Sequence, residues 1–522
     1  MDKRVIVVGG GLAGLTAAAY LAKAGIRVLL CEKAPKVGGL VNSFMYKGFS
    51  FDGGIRALEN SGIVKPMLRQ LGLDIPLVSN GVSIGIEQDV VNLSDKSSLK
   101  DYLALLRGKF PAHAQEIGRF GQEIEKIMQY MDILYGIDNP LFLDLKADRR
   151  YLMKTILPWM FKYIVTIGKI DKLDQPVVGY LQRFISSPAL IDMIAQHFFQ
   201  ATPTFFALSY FSLYLDYSYP LGGIGVLAEK LKGFILEHQG EILCETEITR
   251  IDLAGRQLED TGGKVYPYEK LIWAADMKRL YSVIDLEAID DQKVRKKAAA
   301  RRESLKELSG NDSILSLYLT VDLDQRYFAE KSNAHFFYTP EREGLSGTDT
   351  ADMAVKSSRD WLNRFFRLTT YEISCPVLRD ANLAPPGQAG LIVSTLFDYA
   401  LAKKITDMGW YEEFKEFSAN AIIDVLNESI YPGIKEKVMD KMVSTPLTLQ
   451  RLTGNTDGAI TGWAFTNAPL PNVHKMTKVA KSVETPLTDV YQAGQWVFSP
   501  SGLPISILTG KLAADRVIKD LK

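Results

Sequence analysis

The chain has 522 residues, of which 47% are hydrophobic, and its formal net charge is zero. This length predicts two to four domains at about 150 residues each, and the composition is that of a globular protein with a large core. The lack of a basic excess argues against a nucleic-acid partner. Cys31, Cys244 and Cys375 lie far apart, so we expect no disulfide framework, no metal site and a reducing, cytoplasmic location.

The first residues predict a strand, a glycine-rich turn and a helix. The apolar run 5–8 is followed by Gly-Gly-Gly-Leu-Ala-Gly and then by an alanine-rich segment. In such a turn, Gly9 allows the tight bend, Gly11 lets the backbone approach a pyrophosphate, and Gly14 lets the helix pack on the sheet. The helix N-terminus supplies free N–H groups to phosphates. We therefore place a dinucleotide at Gly9, Gly11, Leu12, Ala13 and Gly14.

A second strand, 27–31, ends at Glu32. A carboxylate at this spacing accepts hydrogen bonds from both ribose hydroxyls and repels a 2′-phosphate, which argues against an NADP-type adenosine. The alternative is a glycine-rich turn that binds nothing. Because strand, turn, helix, strand and acid all occur in register, the dinucleotide site is favoured.

Further glycine pairs follow at Gly38-Gly39 and, after a predicted hairpin over 44–54, at Gly53-Gly54. The second pair leaves no side chain in the way of a flat ring. This order of motifs resembles the FAD-binding half of phytoene desaturase-like flavoproteins. That group includes carotenoid desaturases, carotenoid isomerases and retinol saturases, and it is more distantly similar to amine oxidases. The resemblance implies FAD contacts at Lys33, Gly38, Gly39, Leu40, Asp52, Gly53, Gly54 and Ile55, although family members often have arginine at the position of Leu40.

Arg56 comes directly after these glycines. It is our one candidate catalytic residue, because a guanidinium there could hold a substrate carboxylate or stabilise a reduced flavin through charge-assisted hydrogen bonds. The alternative is a structural ion pair, for which Glu59 is the candidate partner. The sequence leaves both open.

The segment 149–216 is apolar and aromatic, with basic residues placed among the apolar ones. Three interpretations are open: an apolar substrate tunnel, a helix in a membrane interface with its basic residues toward the headgroups, or the core of a helical subdomain. The basic residues are Arg149, Arg150, Lys154, Lys162 and Lys169. Just before this segment, residues 109–135 carry a helical stripe that is typical of a core. Its members are Ile117, Phe120, Ile124, Ile127 and Met128.

The resemblance extends to the C-terminus and implies further FAD contacts. Ile248 stands where the family meets adenine through its backbone, and Ala274 lies on a strand of small residues near FAD. Gly494-Gln495 replaces a common Gly-Asp, and the glutamine can still hydrogen-bond ribityl or phosphate oxygens. A helix starting near Pro504 and Ile505 would direct its N-terminus at the pyrimidine edge and favour the reduced flavin.

These motifs predict an α/β fold: a Rossmann-type FAD-binding domain, a discontinuous mixed α+β substrate domain and a helical, apolar subdomain. We assign 1–80, 219–290 and 455–522 to the FAD-binding domain, 81–218 to the helical subdomain, and 291–454 to the sheet and helices of the substrate domain. No stretch reaches the length of a membrane-spanning helix, so we expect at most peripheral membrane association.

Acid–base or metal chemistry is not evident in the sequence. No metal-ligand spacing or nucleophile motif occurs among the five histidines, His113, His197, His238, His335 and His474. A flavin carries such chemistry itself. The resemblance implies an FAD-dependent oxidoreductase that desaturates, saturates or isomerises carbon–carbon bonds of a lipophilic carotenoid or isoprenoid taken from the membrane surface, with quinone or oxygen as electron acceptor. The alternatives are an amine-oxidase-like flavoenzyme, with Trp463 and Trp496 as cage aromatics, and a flavoprotein whose structural FAD accompanies binding of a lipid or partner.

Overall fold

The computed structural model describes residues 4–143, 149–348 and 350–522, without the side chain of Arg149. The strands in this part of the chain are β1 (Val5–Val8), β2 (Val28–Cys31), β3 (Ser43–Tyr46), β4 (Phe49–Asp52), β5 (Leu58–Glu59), β6 (Leu77–Ser79), β7 (Val82–Ile86), β8 (Asp89–Leu93), β9 (Tyr217–Pro220), β10 (Glu241–Leu243), β11 (Ile248–Asp252), β12 (Gln257–Asp260), β13 (Val265–Pro267), β14 (Lys270–Trp273), β15 (Ser313–Val321), β16 (His335–Thr339), β17 (Tyr371–Ser374), β18 (Ala389–Phe397), β19 (Val438–Ser444) and β20 (Val490–Gln492).

The helices follow in the same numbering. They are α1 (Leu12–Lys23), α2 (Val64–Leu71), α3 (Ser98–Lys109), α4 (Ala114–Tyr135), α5 (Arg149–Tyr151), α6 (Leu157–Ile170), α7 (Val177–Leu181), α8 (Pro188–Ala195), α9 (Thr204–Tyr214), α10 (Val226–Glu237), α11 (Met277–Val283), α12 (Gln292–Leu305), α13 (Gln325–Ala329), α14 (Met353–Lys356), α15 (Arg359–Leu368), α16 (Tyr399–Asp407), α17 (Tyr411–Glu428), α18 (Pro446–Thr453) and α19 (Leu503–Asp520). Short 3₁₀ segments occupy Pro111–His113, Pro140–Phe142, Asp171–Leu173, Leu345–Thr348, Pro376–Leu378, Ala381–Leu383, Lys435–Lys437, Thr456–Gly458 and Met476–Lys481.

A five-stranded parallel sheet in the order β10-β2-β1-β14-β20 forms the dinucleotide fold. Its central strand β1 is apolar and buried at every position, as expected for a parallel strand covered on both faces. Helices α10 and α19 both pack against α1 beside it. The α/β fold expected from the sequence is confirmed, and the carboxyl ends of β1, β14 and β20 meet at one edge, where ligands bind in such sheets.

A second, mixed sheet in the order β19-β15-β18-β17-β16-β7-β8 holds a separate core. Only the β16–β7 pair is parallel, and the other pairs are antiparallel. The sheet strands expected within 291–454 are present, but β7 and β8 join them from the segment that we assigned to the helical subdomain. The domain boundaries themselves stay a prediction.

The helices between β8 and β9 form a third core. The apolar stripe expected over 109–135 is buried in α4, which packs against α9. This part of the chain therefore behaves as the sequence predicts for a core.

Helix α6 is different, because part of its apolar surface is exposed. It continues α5 through a π-helical turn at Leu152–Ile156. Its side chains divide between a buried face, which includes Ile167, and a large solvent-facing apolar patch. We call this patch the exposed apolar face: Met153, Met160, Phe161, Ile164 and Val165. The described residues contain no helix long and apolar enough to cross a membrane.

Candidate active site

The first glycine turn leaves open space at the N-terminus of α1. A Cβ on Gly9 (φ +106°) would lie 2.8 Å from the carbonyl oxygen of Ala274, and one on Gly14 would lie 1.9 Å from that of Gly9. A Cβ on Gly11, in contrast, would meet no described atom within 4 Å beyond its own chain neighbours. No side chain of the described residues caps α1, so its first N–H groups, around Leu12 and Ala13, remain available to an anion.

Glu32 is fixed at the end of β2 by two backbone donors. The N–H of Gly10 donates to Oε2 at 2.5 Å and that of Ala34 to Oε1 at 2.8 Å. Each carboxylate oxygen keeps a lone pair for a hydroxyl donor. The buried Ile248 begins β11 nearby, since Thr246 N–H donates to the carbonyl of Glu32 at 2.8 Å. The adjacent Lys33 approaches the carbonyl oxygen of Arg451 at 3.4 Å.

The second glycine pair lies directly against the first turn. Gly38 N–H donates to the carbonyl of Gly10 at 2.8 Å. Gly39 has φ +56°, and a Cβ there would lie 3.2 Å from Cα of Gly11. The two glycine motifs therefore form one backbone cradle that larger residues would fill.

Asp52 is 1% exposed and bound by protein on both oxygens. Ser43 Oγ donates to Oδ1 at 2.9 Å and Tyr219 Oη to Oδ2 at 2.7 Å. The N–H of Ile224 also donates to Oδ1, at 3.0 Å. These bonds tie β4 to the return segment after β9, and a direct role of Asp52 toward a cofactor stays a prediction.

Gly54 is required by backbone packing, whereas Gly53 approaches only a side chain closely. A Cβ on Gly54 would lie 2.1 Å from the carbonyl oxygen of Leu40, and one on Gly53 would lie 2.7 Å from Oδ1 of Asn42. For Gly54 the structure supplies a reason within the protein, and the contact of both glycines with a flat ring stays a prediction. Leu40, Gly54 and Ile55 line a cavity beyond this contact.

The C-terminal motif closes the same edge of the sheet. Gly494 (φ +99°) follows β20, its N–H donates to Oγ1 of Thr509 at 3.0 Å, and Gln495 comes next. Ala274 N–H donates to the carbonyl of Val8 at 2.7 Å. Pro504 and Ile505 stand in the first turn of α19. Motifs from three distant segments thus converge, and their contact with one ligand stays a prediction.

Two cavities adjoin this edge. The inner cavity, of about 250 Å³, lies between Leu40, Gly54 and Ile55 on one side and the mixed sheet and α9 on the other. The outer cavity, of about 430 Å³, is lined by α4, α6 and the start of α19. Four residues line both: Glu59, Phe206, Ser501 and Gly502. The cavities are therefore adjacent, and the outer one runs beneath the helix that carries the exposed apolar face.

Arg56 lines the inner cavity and is 3% exposed. Its Nη1 pairs with Oε2 of Glu372 at 2.8 Å, and its Nη2 donates to Oγ of Ser394. Its ion-pair partner is thus Glu372 rather than the expected Glu59. Burial opposes ionisation of Glu372, but the Arg56 guanidinium and the nearby His335 outweigh it and lower the pKa of Glu372 to about 2.

His335 lines the inner cavity beside this pair. Its Nε2 lies 3.1 Å from Oε1 of Glu372 without hydrogen-bond geometry, and its Nδ1 has no hydrogen-bond partner in the described chain. Burial lowers the pKa of His335, and the neighbouring Glu372 carboxylate opposes this shift. The sequence analysis missed Glu372, and it weighed His335 only as a metal ligand.

Glu59 stands where the two cavities meet. Burial, and secondarily Asp216, raise the pKa of its carboxyl to about 7. Burial raises the pKa of the phenols of Tyr135, Tyr210 and Tyr217, and the charge of Glu59 adds to each of these shifts. This carboxyl can therefore exchange a proton near neutral pH.

The two tryptophans considered as cage aromatics lie elsewhere. Trp463 and Trp496 are buried edge to face, with ring centroids 4.9 Å apart, and Trp463 donates to the carbonyl of Trp496 at 2.9 Å. Neither lines the inner or the outer cavity. The aromatic wall of the inner cavity consists of Phe198, Phe199, Phe206, Tyr210, Tyr214, Tyr217 and Phe337.

Residues 12–518 match the family model for flavin containing amine oxidoreductases. The chain belongs to this family. It is similar to a prolycopene isomerase of an Oncidium hybrid cultivar (23% identity, 99% of this chain and 84% of the relative) and to a 4,4'-diapolycopene oxygenase of Methylomonas sp. (23%, 100% and 99%). It is also similar to an all-trans-retinol 13,14-reductase of Danio rerio (24%, 95% and 82%). The resemblance to the phytoene desaturase-like group is thereby confirmed.

Solved structures support the fold. The chain resembles an oxidoreductase from Methanosarcina mazei with a TM-score of 0.62 at 14% identity, over 99% of this chain and 100% of the other. It resembles cyclohexylamine oxidase from Brevibacterium oxydans with a TM-score of 0.58 at 12% identity, over 100% of both chains. The protein is a flavin-dependent oxidoreductase, and the open cradle at Gly11 and Gly39 fits the phosphates of such a cofactor.

Proposed function

We propose that this enzyme uses FAD to oxidise or reduce a carbon–carbon bond of a lipophilic isoprenoid or carotenoid-like substrate taken from a membrane surface. The adenosine and pyrophosphate would lie at Glu32, Ile248 and the N-terminus of α1. The flavin ring would lie against Leu40, Gly54 and Ile55, near Gly494 and Gln495. When bound, FAD supplies the hydride chemistry, and the protein positions the substrate and excludes water.

The observation that carries this proposal is the adjacency of the two cavities. The inner cavity contains the predicted flavin-facing residues, and the outer cavity is lined by apolar side chains such as Leu134, Trp159 and Ile167. The volume of the outer cavity is typical of ligand sites. An extended apolar molecule could occupy both, which a small polar substrate would not need.

The exposed apolar face supports delivery from a membrane. Phe161 is 73% exposed and lies on α6, the helix that lines the outer cavity. The exposed Lys154 and Lys162 lie beside it. An apolar surface edged by lysines is typical of a helix in an anionic membrane interface, so we propose peripheral association there, with a membrane quinone or oxygen as electron acceptor.

Anaerobic half-reactions test the proposal. The purified protein should release FAD, identified by mass, and an organic extract should contain an isoprenoid lipid. A lipid that bleaches the oxidised flavin transfers two electrons to it and is desaturated, whereas a polyene that reoxidises the reduced flavin is saturated. A reduced flavin that neither polyene, quinone nor oxygen reoxidises would contradict the proposal, and oxidation of a primary amine would favour the amine-oxidase alternative.

A further inference from the structure

The proposed reaction moves a proton as well as a hydride. Saturation of a carbon–carbon double bond adds a hydride to one carbon and a proton to the other, and desaturation removes both. A flavin supplies or accepts the hydride. Given the proposed function, on which this inference rests, a group of the protein has to give or take the proton where the substrate meets the flavin and water is excluded.

Glu59 is the titratable residue at the junction of the two cavities. The residues that line both cavities are Glu59, Phe206, Ser501 and Gly502. Of these four, only Glu59 has a side chain that can exchange a proton near neutral pH. The inner cavity is the proposed place of the flavin ring and the outer cavity that of the apolar chain, so a bond of the chain that reaches the flavin passes the Glu59 carboxyl.

The carboxyl group of Glu59 is open to the cavities. Glu59 pairs with Tyr217 across β5 and β9, so a strand fixes its backbone. The residue is partly exposed, and no described residue donates a hydrogen bond to its carboxyl oxygens. Neither oxygen is among the fully enclosed polar atoms that lack a partner in the described chain. Both oxygens therefore have free surface, and Gly502, where a Cβ would lie 3.7 Å from Oε1, adds no side chain to cover them.

The other ionisable groups of the inner cavity are poorer partners for the proton. The ring nitrogens of His335 are enclosed by protein, and the pKa of Glu372 is about 2. Burial lowers the pKa of His197 to about 4. The phenols keep their protons at neutral pH, because burial raises the pKa of Tyr210, Tyr214 and Tyr217.

We propose that Glu59 is a catalytic residue that exchanges a proton directly with a carbon atom of the substrate. In saturation, the O–H bond of the Glu59 carboxyl breaks, its proton and a hydride from the reduced cofactor form two C–H bonds, and the π bond between the two carbons is lost. The carboxylate then takes up a proton from water. In desaturation, the Glu59 carboxylate removes a proton from one carbon, the neighbouring carbon gives a hydride to the oxidised cofactor, and the π bond forms.

The surroundings of Glu59 allow both protonation states near neutral pH. Burial and, secondarily, the charge of Asp216 raise the pKa of Glu59 to about 7, which suits a group that acts as acid in one direction and as base in the other. The charges of Arg56 and Glu372, which line the inner cavity, are paired with each other. The further ionisable groups that line the outer cavity are Tyr135, Tyr163, Asp171, Asp174, His474 and Lys475.

Ligand binding tests the contact of Glu59 with the substrate without turnover. α-Farnesene is the apolar probe, and its binding to the oxidised, FAD-loaded protein is followed through the visible flavin spectrum between about pH 5.5 and pH 8.5. Covering a carboxylate with hydrocarbon is costly, so the probe should bind the protonated form of Glu59. We expect the wild-type affinity to be level below about pH 7 and to fall about tenfold per pH unit above it. An affinity that does not change with pH would overturn the proposal.

Two variants assign this pH dependence. Glu59→Gln keeps the shape of the side chain without its titration, so its affinity for α-farnesene should be level over the whole range. Asp216→Asn should keep the dependence but move its midpoint to lower pH, because the charge of Asp216 raises the pKa of Glu59 and Asp216 itself lines neither cavity. A Glu59→Gln protein that keeps the wild-type dependence, or an unmoved midpoint in Asp216→Asn, would refute the assignment. The second variant decides the question even if the first does not fold.

Anaerobic stopped-flow measurements test the proton transfer itself. They follow reoxidation of the reduced flavin by lycopene, bleaching of the oxidised flavin by squalene, or the reaction with the lipid that the organic extract identifies. Glu59→Gln should react about a hundredfold or more slowly than the wild type, with unchanged FAD content and with the wild-type affinity for α-farnesene below pH 7. Glu59→Asp should recover part of the rate.

The role of Glu59 and the proposed function fail in different ways. Equal rates in the wild type and in Glu59→Gln would overturn the role of Glu59 and leave the proposed function intact. A wild-type flavin that exchanges electrons with no lipid would overturn both.

Discussion

At the scale of single residues, the glycines of the first turn fall into two kinds. Gly9 and Gly14 are required by contacts within the protein, since an added Cβ would meet a backbone oxygen. Gly11 has φ −69° and open space beside it. Packing therefore does not explain its lack of a side chain, and we propose that the approach of a ligand does.

Gly11→Val should for this reason abolish FAD binding without unfolding the protein. The valine side chain would fill the space proposed for the pyrophosphate, while the backbone conformation suits an L-residue. Flavin absorbance of the purified variant should be lost, and its far-UV circular dichroism should match that of the wild type stripped of cofactor. Gly14→Val is the contrasting variant, which should lose folding as well. A Gly11→Val protein that purifies yellow would refute the pyrophosphate site.

Glu59 should make stability depend on pH. The folded protein holds the proton of this carboxyl up to about pH 7, whereas the unfolded chain releases it near 4. The stabilising contribution is therefore complete below about pH 4 and is lost as pH rises to 7. Relative to Glu59→Gln, the wild type should lose unfolding free energy across this window and stay level above it. Denaturant titrations at several pH values measure the unfolding free energies of the wild type and of Glu59→Gln. If the two plots of unfolding free energy against pH run parallel, Glu59 has an ordinary pKa and the prediction is wrong.

At the scale of elements, Arg56 links the loop between β4 and β5 to strands β17 and β18. Its partners lie more than 300 residues away in sequence, and strand order alone brings them together. Sequence reasoning identified Arg56 because it follows a recognisable glycine pair. Glu372 and His335 lie on ordinary-looking strands, and nothing local indicates that β16, β17 and β18 are neighbours. The glycine cradle was predictable because each motif carries its own local chemistry.

The ion pair predicts a non-additive pair of substitutions. Arg56→Ala leaves the partly buried Glu372 charge without its guanidinium partner and should lower the unfolding free energy. The loss should be smaller than the ~3–5 kcal/mol of a fully buried pair, because the Glu372 side chain is 34% exposed. Combining it with Glu372→Gln removes that charge and should recover part of the loss, as measured by urea denaturation. A double variant no more stable than Arg56→Ala would contradict a structural pair. Turnover lost at unchanged stability and FAD content would instead indicate direct contact of Arg56 with substrate.

At the scale of the whole molecule, the sequence predicts the parallel sheet and most strands of the mixed sheet, but it does not place β7 and β8 in the mixed sheet. The parallel sheet draws on distant segments, each marked by a glycine motif or a buried apolar run. Strands β7 and β8 of the mixed sheet come from the segment 81–218, most of which is helical. The sequence of this segment therefore predicts a helical subdomain, and the alternating residues of one short hairpin were too few to assign it to the sheet. The sequence also could not predict that the exposed apolar face lies on the surface. An apolar helix has the same residue pattern whether it faces a core, a cavity or a membrane.

That face predicts reversible binding to anionic vesicles. Phe161 and Ile164 are 73% and 63% exposed, and replacing both by glutamate removes apolar contact and adds repulsion from anionic headgroups. The fraction that cosediments with phosphatidylcholine–phosphatidylglycerol vesicles should fall about tenfold or more, with FAD content unchanged. Met408→Glu is the matched control, since Met408 is 51% exposed but lies outside both cavity linings, and it should bind like the wild type. Equal loss in both variants, or none in either, would show that α6 does not contact the membrane. Added salt should weaken wild-type binding only in part, because the apolar contribution is not screened.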